Sequence, residues 1–174
     1  MSEALTYPQL VHLTDRMDYL SAHINNEAVA LCVENAMGVE VSDRVKYIRT
    51  IFAELTRIAS HELWWGAMAM DLGAFTPFFH AFREREVIND IMEETCGARL
   101  TMNYMVPGGV MQDIHPNFQR RVKDFIQLYR SKIHEYDELV TGNVIFQNRM
   151  KGVGIISAED AVSYGVTGPA ARGS

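Results

Sequence analysis

Asp15 and Tyr19 stand four residues apart. On a helix that spacing makes their side chains neighbours, and a carboxylate beside a phenol orients its hydroxyl by hydrogen bonding. Asp71 falls at the C-terminal end of a second apolar-periodic segment, where the helix already carries partial negative charge. Leu63, Ala67 and Asp71 share one face there, an apolar strip ending in an acid. Each of these has a plain alternative: a helical tyrosine is commonly a core ring with a wet tip, and an aspartate at a helix end is commonly solvated. Glu54 and Arg57 are spaced for an ordinary surface ion pair. His61 reads as a satisfied helical histidine and Glu84-Arg85-Glu86 as a solvated face. Cys32 and Cys96 are isolated and form no C-x-x-C, so cysteine spacing offers no metal or redox motif. No G-x-G-x-x-G, P-loop, G-x-S-x-G or H-E-x-x-H is present, which leaves no sign of a nucleotide site.

The elements that must position these residues follow from composition and periodicity. A chain of 174 residues with 48% apolar content can bury one sizeable core. A net charge of −6 argues against a nucleic-acid surface, which needs a local excess of Lys and Arg. No apolar run reaches the roughly 18 residues of a membrane span, and no basic start followed by an apolar stretch marks a secretory signal. Any membrane contact is therefore expected through partners. Two unpaired thiols suit a reduced compartment.

Thr6-x-x-Gln9 has capping-box form with Pro8 in the first turn, and Leu13, Met17, Leu20 and Ile24 follow at helical spacing. This predicts a helix over 8–37, weakest at His23 to Asn26 and stopped by Gly38. Ser42 caps the next, with an apolar stripe of Val45, Ile48, Phe52, Leu55 and Ala59, ending near Leu72-Gly73. Thr76 reads as an N-cap before Pro77, opening a helix that runs to Gly97. Arg99 to Ile114, with Pro107-Gly108-Gly109, reads as a loop with some extended structure. Pro116 opens a fourth long helix that keeps one face to Thr141-Gly142, and Ser157 caps a short last helix ending at Gly165. The tail from Gly165 to Ser174 is rich in Gly and Ala without apolar periodicity. The expectation is a mainly α, single helical domain over 1–174: an antiparallel bundle of about four long helices with a short loop or strand insertion.

Taken together, several strings resemble one family: Asp15-Arg-Met-Asp-Tyr19, Arg49-x-x-Phe-x-Glu54-x-x-Arg57-x-x-x-His61, Asp71-x-Gly-Ala-x-Thr-Pro-Phe-Phe79, Glu84-Arg85-Glu86, Gly97-Ala-Arg99 and Pro107-Gly-Gly-Val110-x-Gln-Asp113. Asn148-Arg149 and Ser157-Ala-Glu-Asp160-Ala-x-x-Tyr164-Gly165 continue the match. Their order and spacing resemble those of the D-type (49-kDa-type) quinone-site subunit of respiratory complex I, the NADH:quinone oxidoreductase. The resemblance covers essentially the whole chain and is specific because the strings occur in order.

That resemblance implies a fragment of the fold shared with nickel-iron hydrogenase large subunits. It implies that Tyr19 is the catalytic phenol, donating a hydrogen bond to one quinone carbonyl. It implies that Asp71 contacts or orients a histidine serving the other carbonyl, and that Asp15 belongs to the same polar network. No cofactor is then bound by this chain. Quinone, with menaquinone favoured, is substrate, and iron-sulfur clusters and FMN sit in partner subunits. The implied partners are the other complex I subunits, chiefly the B-type one, which holds an iron-sulfur cluster, and the C-type one, fused or separate. The implied location is the peripheral arm at the cytoplasmic face of the bacterial inner membrane, with electron transport coupled to proton translocation.

The hydrogenase alternative would place a metal-binding Cys-x-x-Cys at Asp18 and Ser21, where no thiolate stands. A third alternative is a non-catalytic assembly module. Three departures from the family pattern carry expectations. Its N-terminal sheet with a two-histidine loop and its C-terminal portion are not in the sequence, which implies a central fragment without quinone turnover of its own. Thr101 stands where the family often has a histidine beside the electron-donating cluster, which points to low-potential chemistry with menaquinone.

Overall fold

The computed structural model describes residues 2–168, so the end of the Gly- and Ala-rich tail lies outside the described residues. Seven α-helices and one small hairpin are present among them: α1 (Tyr7–Thr14), α2 (Ala22–Met37), α3 (Asp43–Asp71), α4 (Thr76–Cys96), β1 (Met105–Val106), β2 (Gly109–Val110), α5 (Phe118–Tyr136), α6 (Val144–Met150) and α7 (Ala158–Ser163). The chain is mainly α, as the periodicity predicts.

The first predicted helix is in fact two. It stops at Thr14, not within the weak stretch at His23 to Asn26, and resumes at Ala22. Local hydrogen bonds from polar side chains defeat the helix here. Arg16 Nη1 donates to His12 O, Asp18 Oδ1 accepts from Leu20 N, and Asn25 Nδ2 donates to Thr14 O and Asp18 O. The capping contact at Thr6 is present, with Gln9 Oε1 accepting from Thr6 N at 3.0 Å.

Ser42 caps α3 through an oxygen that accepts from Val45 N, and Gly38 and Gly97 end α2 and α4 in left-handed conformations. Thr76 is the first helical residue of α4 and not its cap; Phe75 occupies that place. Helix α5 begins at Phe118, two residues after Pro116, and its last turn widens into a π-helical segment, Asp137–Thr141. Helix α6 was not expected: seven residues are too few to show a periodicity, and its signal is the Asn143 cap, whose Oδ1 accepts from Ile145 N and Phe146 N. The Ser157 cap of α7 is as expected.

Helix α4 packs against both α3 and α5. The core joins Ile48, Phe52, Leu55 and Ala59 of α3 to Ile88, Ile91 and Met92 of α4, with Tyr104, Met105, Phe118 and Phe125 closing it. The Phe52 and Phe118 rings stack at 4.9 Å. A small residue sets the α3–α4 approach: a Cβ built on Gly66 would meet Phe78 Cα at 3.0 Å. The hairpin pairs Met105 with Val110 and Val106 with Gly109, turning at Pro107-Gly108. Gly108 has φ +93, the third-position conformation of a type II turn after proline.

One buried ion pair fastens the hairpin to the helices. Arg49 of α3 and Glu34 of α2 bond in bidentate fashion at 2.7 and 3.0 Å. Arg49 also donates to Val106 O and Gly109 O, while Glu34 Oε1 accepts from Gly108 N. Every charged atom of the pair thus has a partner, the condition for burying it.

Candidate functional site

Tyr19 sits on the turn between α1 and α2, and its environment is built from that turn outward. Behind it lies Asp15, only 1% exposed. Its carboxylate accepts from Asn26 Nδ2 at 2.6 Å and from Asn103 N at 2.9 Å. Asp15 therefore ties the turn both to α2 and to the segment before β1, where Asn103 holds φ 45. Burial raises the Asp15 carboxyl above its ordinary pKa, opposed by the bonds from Asn26 and Asn103 and by the charges of Arg16 and His12.

The helical neighbour relation expected for Asp15 and Tyr19 is absent because the helix has already ended. Asp15 bonds to Asn26 and Asn103, and the phenol of Tyr19 is 59% exposed. Tyr19 rims a shallow hollow whose other walls include Thr56 and Ala59 of α3, Arg85 and Met92 of α4, and Arg99. Arg99 is held at 2.5 to 2.7 Å by Glu86, Asp90 and Glu93 along α4. An exposed phenol can donate a hydrogen bond to an oxygen on which negative charge develops. Thr101 lies on the segment that Asp15 pins, two residues before Asn103.

Asp71 is the last residue of α3 and is exposed. The adjoining Leu72 carbonyl accepts from Arg149 Nη1, so a cation answers the negative end of the helix. From Ala59, beside Tyr19, to Asp71 the helix rises roughly 18 Å. The described residues do not bring Tyr19 and Asp71 into one pocket.

Polar residues inside apolar stripes proved to be the missed signal. His23 is fully buried, with Nδ1 3.0 Å from Thr56 Oγ1 and Nε2 3.7 Å from Cys96 Sγ. Burial lowers its pKa to about 3, so it is a neutral core histidine. The same surroundings push the Cys96 thiol well above its ordinary range, leaving it unreactive. Glu84 is not on a solvated face. It is 1% exposed and accepts from Arg83 Nε at 2.7 Å and Tyr136 Oη at 2.8 Å. The Glu54–Arg57 surface pair forms as spaced, at 3.0 Å, and His61 is exposed.

The mainly α architecture with its fastened hairpin finds its family in comparison with known proteins. Residues 71–174 match the family described as "Respiratory-chain NADH dehydrogenase, 49 Kd subunit". The whole chain is 62% identical to the C/D subunit of NADH-quinone oxidoreductase from Bacteroides thetaiotaomicron, covering 33% of that protein. It is 56% identical to the C/D subunit of the same name from Phocaeicola vulgatus, covering 34% of it. Over 168 residues, 97% of the chain, it is 50% identical to the D subunit of NADH-quinone oxidoreductase from Bacillus anthracis, covering 46% of it. The chain belongs to the family of the 49 kDa subunit of respiratory-chain NADH dehydrogenase. It spans about a third of the length of the fused C/D relatives.

Proposed function

We propose that this chain forms one wall of the pocket in which an NADH:quinone oxidoreductase reduces its quinone. The observation that carries the reading is identity of 62% along the entire chain to a C/D subunit of an enzyme so named. Within it, Tyr19 offers the exposed phenol that hydrogen-bonds one quinone carbonyl. As two electrons and two protons convert quinone to quinol, that hydroxyl supplies a proton or stabilises negative charge on the oxygen. Arg85 lies on the same hollow, while Arg99 is already neutralised by Glu86, Asp90 and Glu93. Asp15 is a positioning residue: it holds the turn from behind. Asp71 contacts or orients the histidine that serves the other carbonyl.

Electrons reach the pocket from an iron-sulfur cluster of a neighbouring B-type subunit, and originate at FMN further upstream. The C-type subunit, fused or separate, is the other chief partner. No described helix is long and apolar enough to cross a membrane, so contact with the bilayer falls to partner subunits, at the cytoplasmic face. The reaction is coupled to proton translocation in the assembly, and the isolated chain has no quinone turnover. Thr101 in place of an ionisable histidine fits menaquinone; a strongly pH-dependent midpoint of the terminal cluster would count against that assignment.

The test uses membranes whose assembled enzyme carries Tyr19→Phe. Quinone reductase activity is expected to fall at least about ten-fold, while electron transfer from NADH to an artificial acceptor upstream is retained. Unchanged quinone activity removes Tyr19 from the pocket.

A further inference from the structure

A cavity of about 730 Å³ opens between α3 and α5. Glu62, Trp64 and Trp65 of α3 line it, with Tyr129 and Tyr136 of α5 and Asp137 of the π-helical segment. The aromatic walls are close-set: the Trp65 and Tyr136 ring centroids are 4.5 Å apart, and Tyr129 meets Tyr136 edge-on at 6.2 Å.

Glu62 is the anomaly. It is 2% exposed, yet neither carboxyl oxygen has a hydrogen-bond partner. A buried carboxyl without a partner is costly to fold around. Its neighbour Glu84 shows what satisfaction looks like here, with Arg83 and Tyr136 both donating to it. Arg85 of α4 lies over the Phe82 ring at 5.5 Å; its Nε is also buried without a hydrogen-bond partner, and it acts on Glu62 through its charge without pairing with it among the described residues. What the site lacks is a cation that enters past aromatic faces.

We propose that this cavity is a receptor for a guanidinium or ammonium group on an apolar stem, with the Glu62 carboxylate as its counter-ion. Trp65, Tyr129 and Tyr136 supply π faces that attract such a group, and Asp137 adds negative charge at the entrance. A bare metal ion fits poorly: a single carboxyl among aromatic rings cannot replace its hydration shell. No residue lining the cavity also lines the Tyr19 hollow, and Arg85, on that hollow, reaches Glu62 through its charge.

Occupancy is linked to a proton. Burial first, and then the Glu84 charge, push the Glu62 carboxyl up to about 8, with Arg85 pulling it back. From α5, Tyr129 and Tyr136 face it as neutral phenols, the Tyr129 hydroxyl pushed up to about 12. The empty site is thus protonated at neutral pH, and an arriving cation expels that proton. Binding strengthens as pH rises to about 8 and levels off above it.

The chain has two tryptophans, and both line the cavity, so intrinsic fluorescence reports occupancy. The probe is Nα-acetyl-arginine methylamide, with the isosteric, uncharged citrulline derivative as control. We expect a saturable change with the arginine probe at pH 8 and none with citrulline. Affinity should weaken by nearly ten-fold per pH unit below pH 7. Glu62→Gln should weaken it about ten-fold or more at pH 8, and His61→Gln, which removes the imidazole that also lines the cavity, should keep the pH dependence. Equal binding of citrulline, pH-independent affinity or absence of saturation in the unsubstituted chain overturns the proposal, whatever the variants do. The same probe, radiolabelled, on the whole enzyme then separates two sources. Binding there marks a free organic cation as the ligand; no binding there, unless a structure of the whole enzyme seats an arginine or lysine side chain against Glu62, overturns the proposal.

Discussion

Glu62 makes stability depend on pH in a direction opposite to that of most carboxylates. Its folded pKa of about 8 lies above the ordinary 4.5, so between those values the folded chain binds more protons than the unfolded one. Its contribution is full below pH 4.5 and is lost as pH rises to about 8, by an amount on the order of a few kcal/mol. Urea unfolding of the Glu62→Gln variant should therefore show its stability advantage growing from pH 5 to pH 8; a parallel offset at all pH values would refute the linkage. Glu34 acts in the ordinary sense. The Arg49 hydrogen bonds hold its carboxyl below the usual range, and the stability it adds is lost on acidification. Neither residue stood out in the sequence, because a glutamate on a long helix looks the same whether it faces water or α4. Tyr19 and Asp71 did stand out by type, and both are surface groups in the fold. Their roles wait on chemistry outside the periodicity of one chain.

At the scale of elements, two contacts decide whether the helices meet. Gly66→Ala would drive a methyl group into the Phe78 backbone at 3.0 Å, and backbone cannot swing aside as a side-chain tip can. Overpacking of about 1–3 kcal/mol outweighs the roughly 1 kcal/mol returned by alanine propensity, so a net loss of up to about 2 kcal/mol is expected in denaturant unfolding. Glu34→Ala leaves the Arg49 guanidinium buried without its counter-ion and should cost about 3–5 kcal/mol by the same measurement. A Glu34→Leu, Arg49→Met double variant that is no more stable than Glu34→Ala would show that the uncompensated charge is not what hurts. Helices α3 and α4 were legible almost to the residue, since the stripes, the Ser42 cap and the left-handed Gly97 agree. The break after Thr14 was not. Apolar residues continue at helical spacing through it, and what stops the helix is a set of side-chain hydrogen bonds that only the three-dimensional turn reveals.

The molecule as a whole exposes more large apolar side chains than a self-sufficient domain needs. Trp64, Phe75, Phe79, Ile145, Ile155 and Val162 are all largely in solvent. Where such residues join into a contiguous patch they mark a face meant for neighbours. Static light scattering of the chain should show an apparent mass that rises with concentration; a constant monomer mass would mean that the exposed residues are scattered and not patched. Fold class was readable from the sequence because burying helix stripes leaves few choices. Which faces stay uncovered was not, since a stripe does not say whether its partner lies in the same chain.

Helix α3 is, mechanically, a lever with its fulcrum at the hairpin. From Arg49, clamped by Glu34 and the carbonyls of Val106 and Gly109, to Asp71 the rod measures roughly 33 Å. A pivot of about two degrees at the clamp becomes a displacement of roughly 1 Å at Asp71. Alignment of that carboxylate is governed from the far end of the rod as well as by the α4 contact at Gly66 and the Arg149 bond to the Leu72 carbonyl, and an Arg49→Lys chain that still folds should report its loosened fulcrum as shifted backbone amide resonances around Asp71.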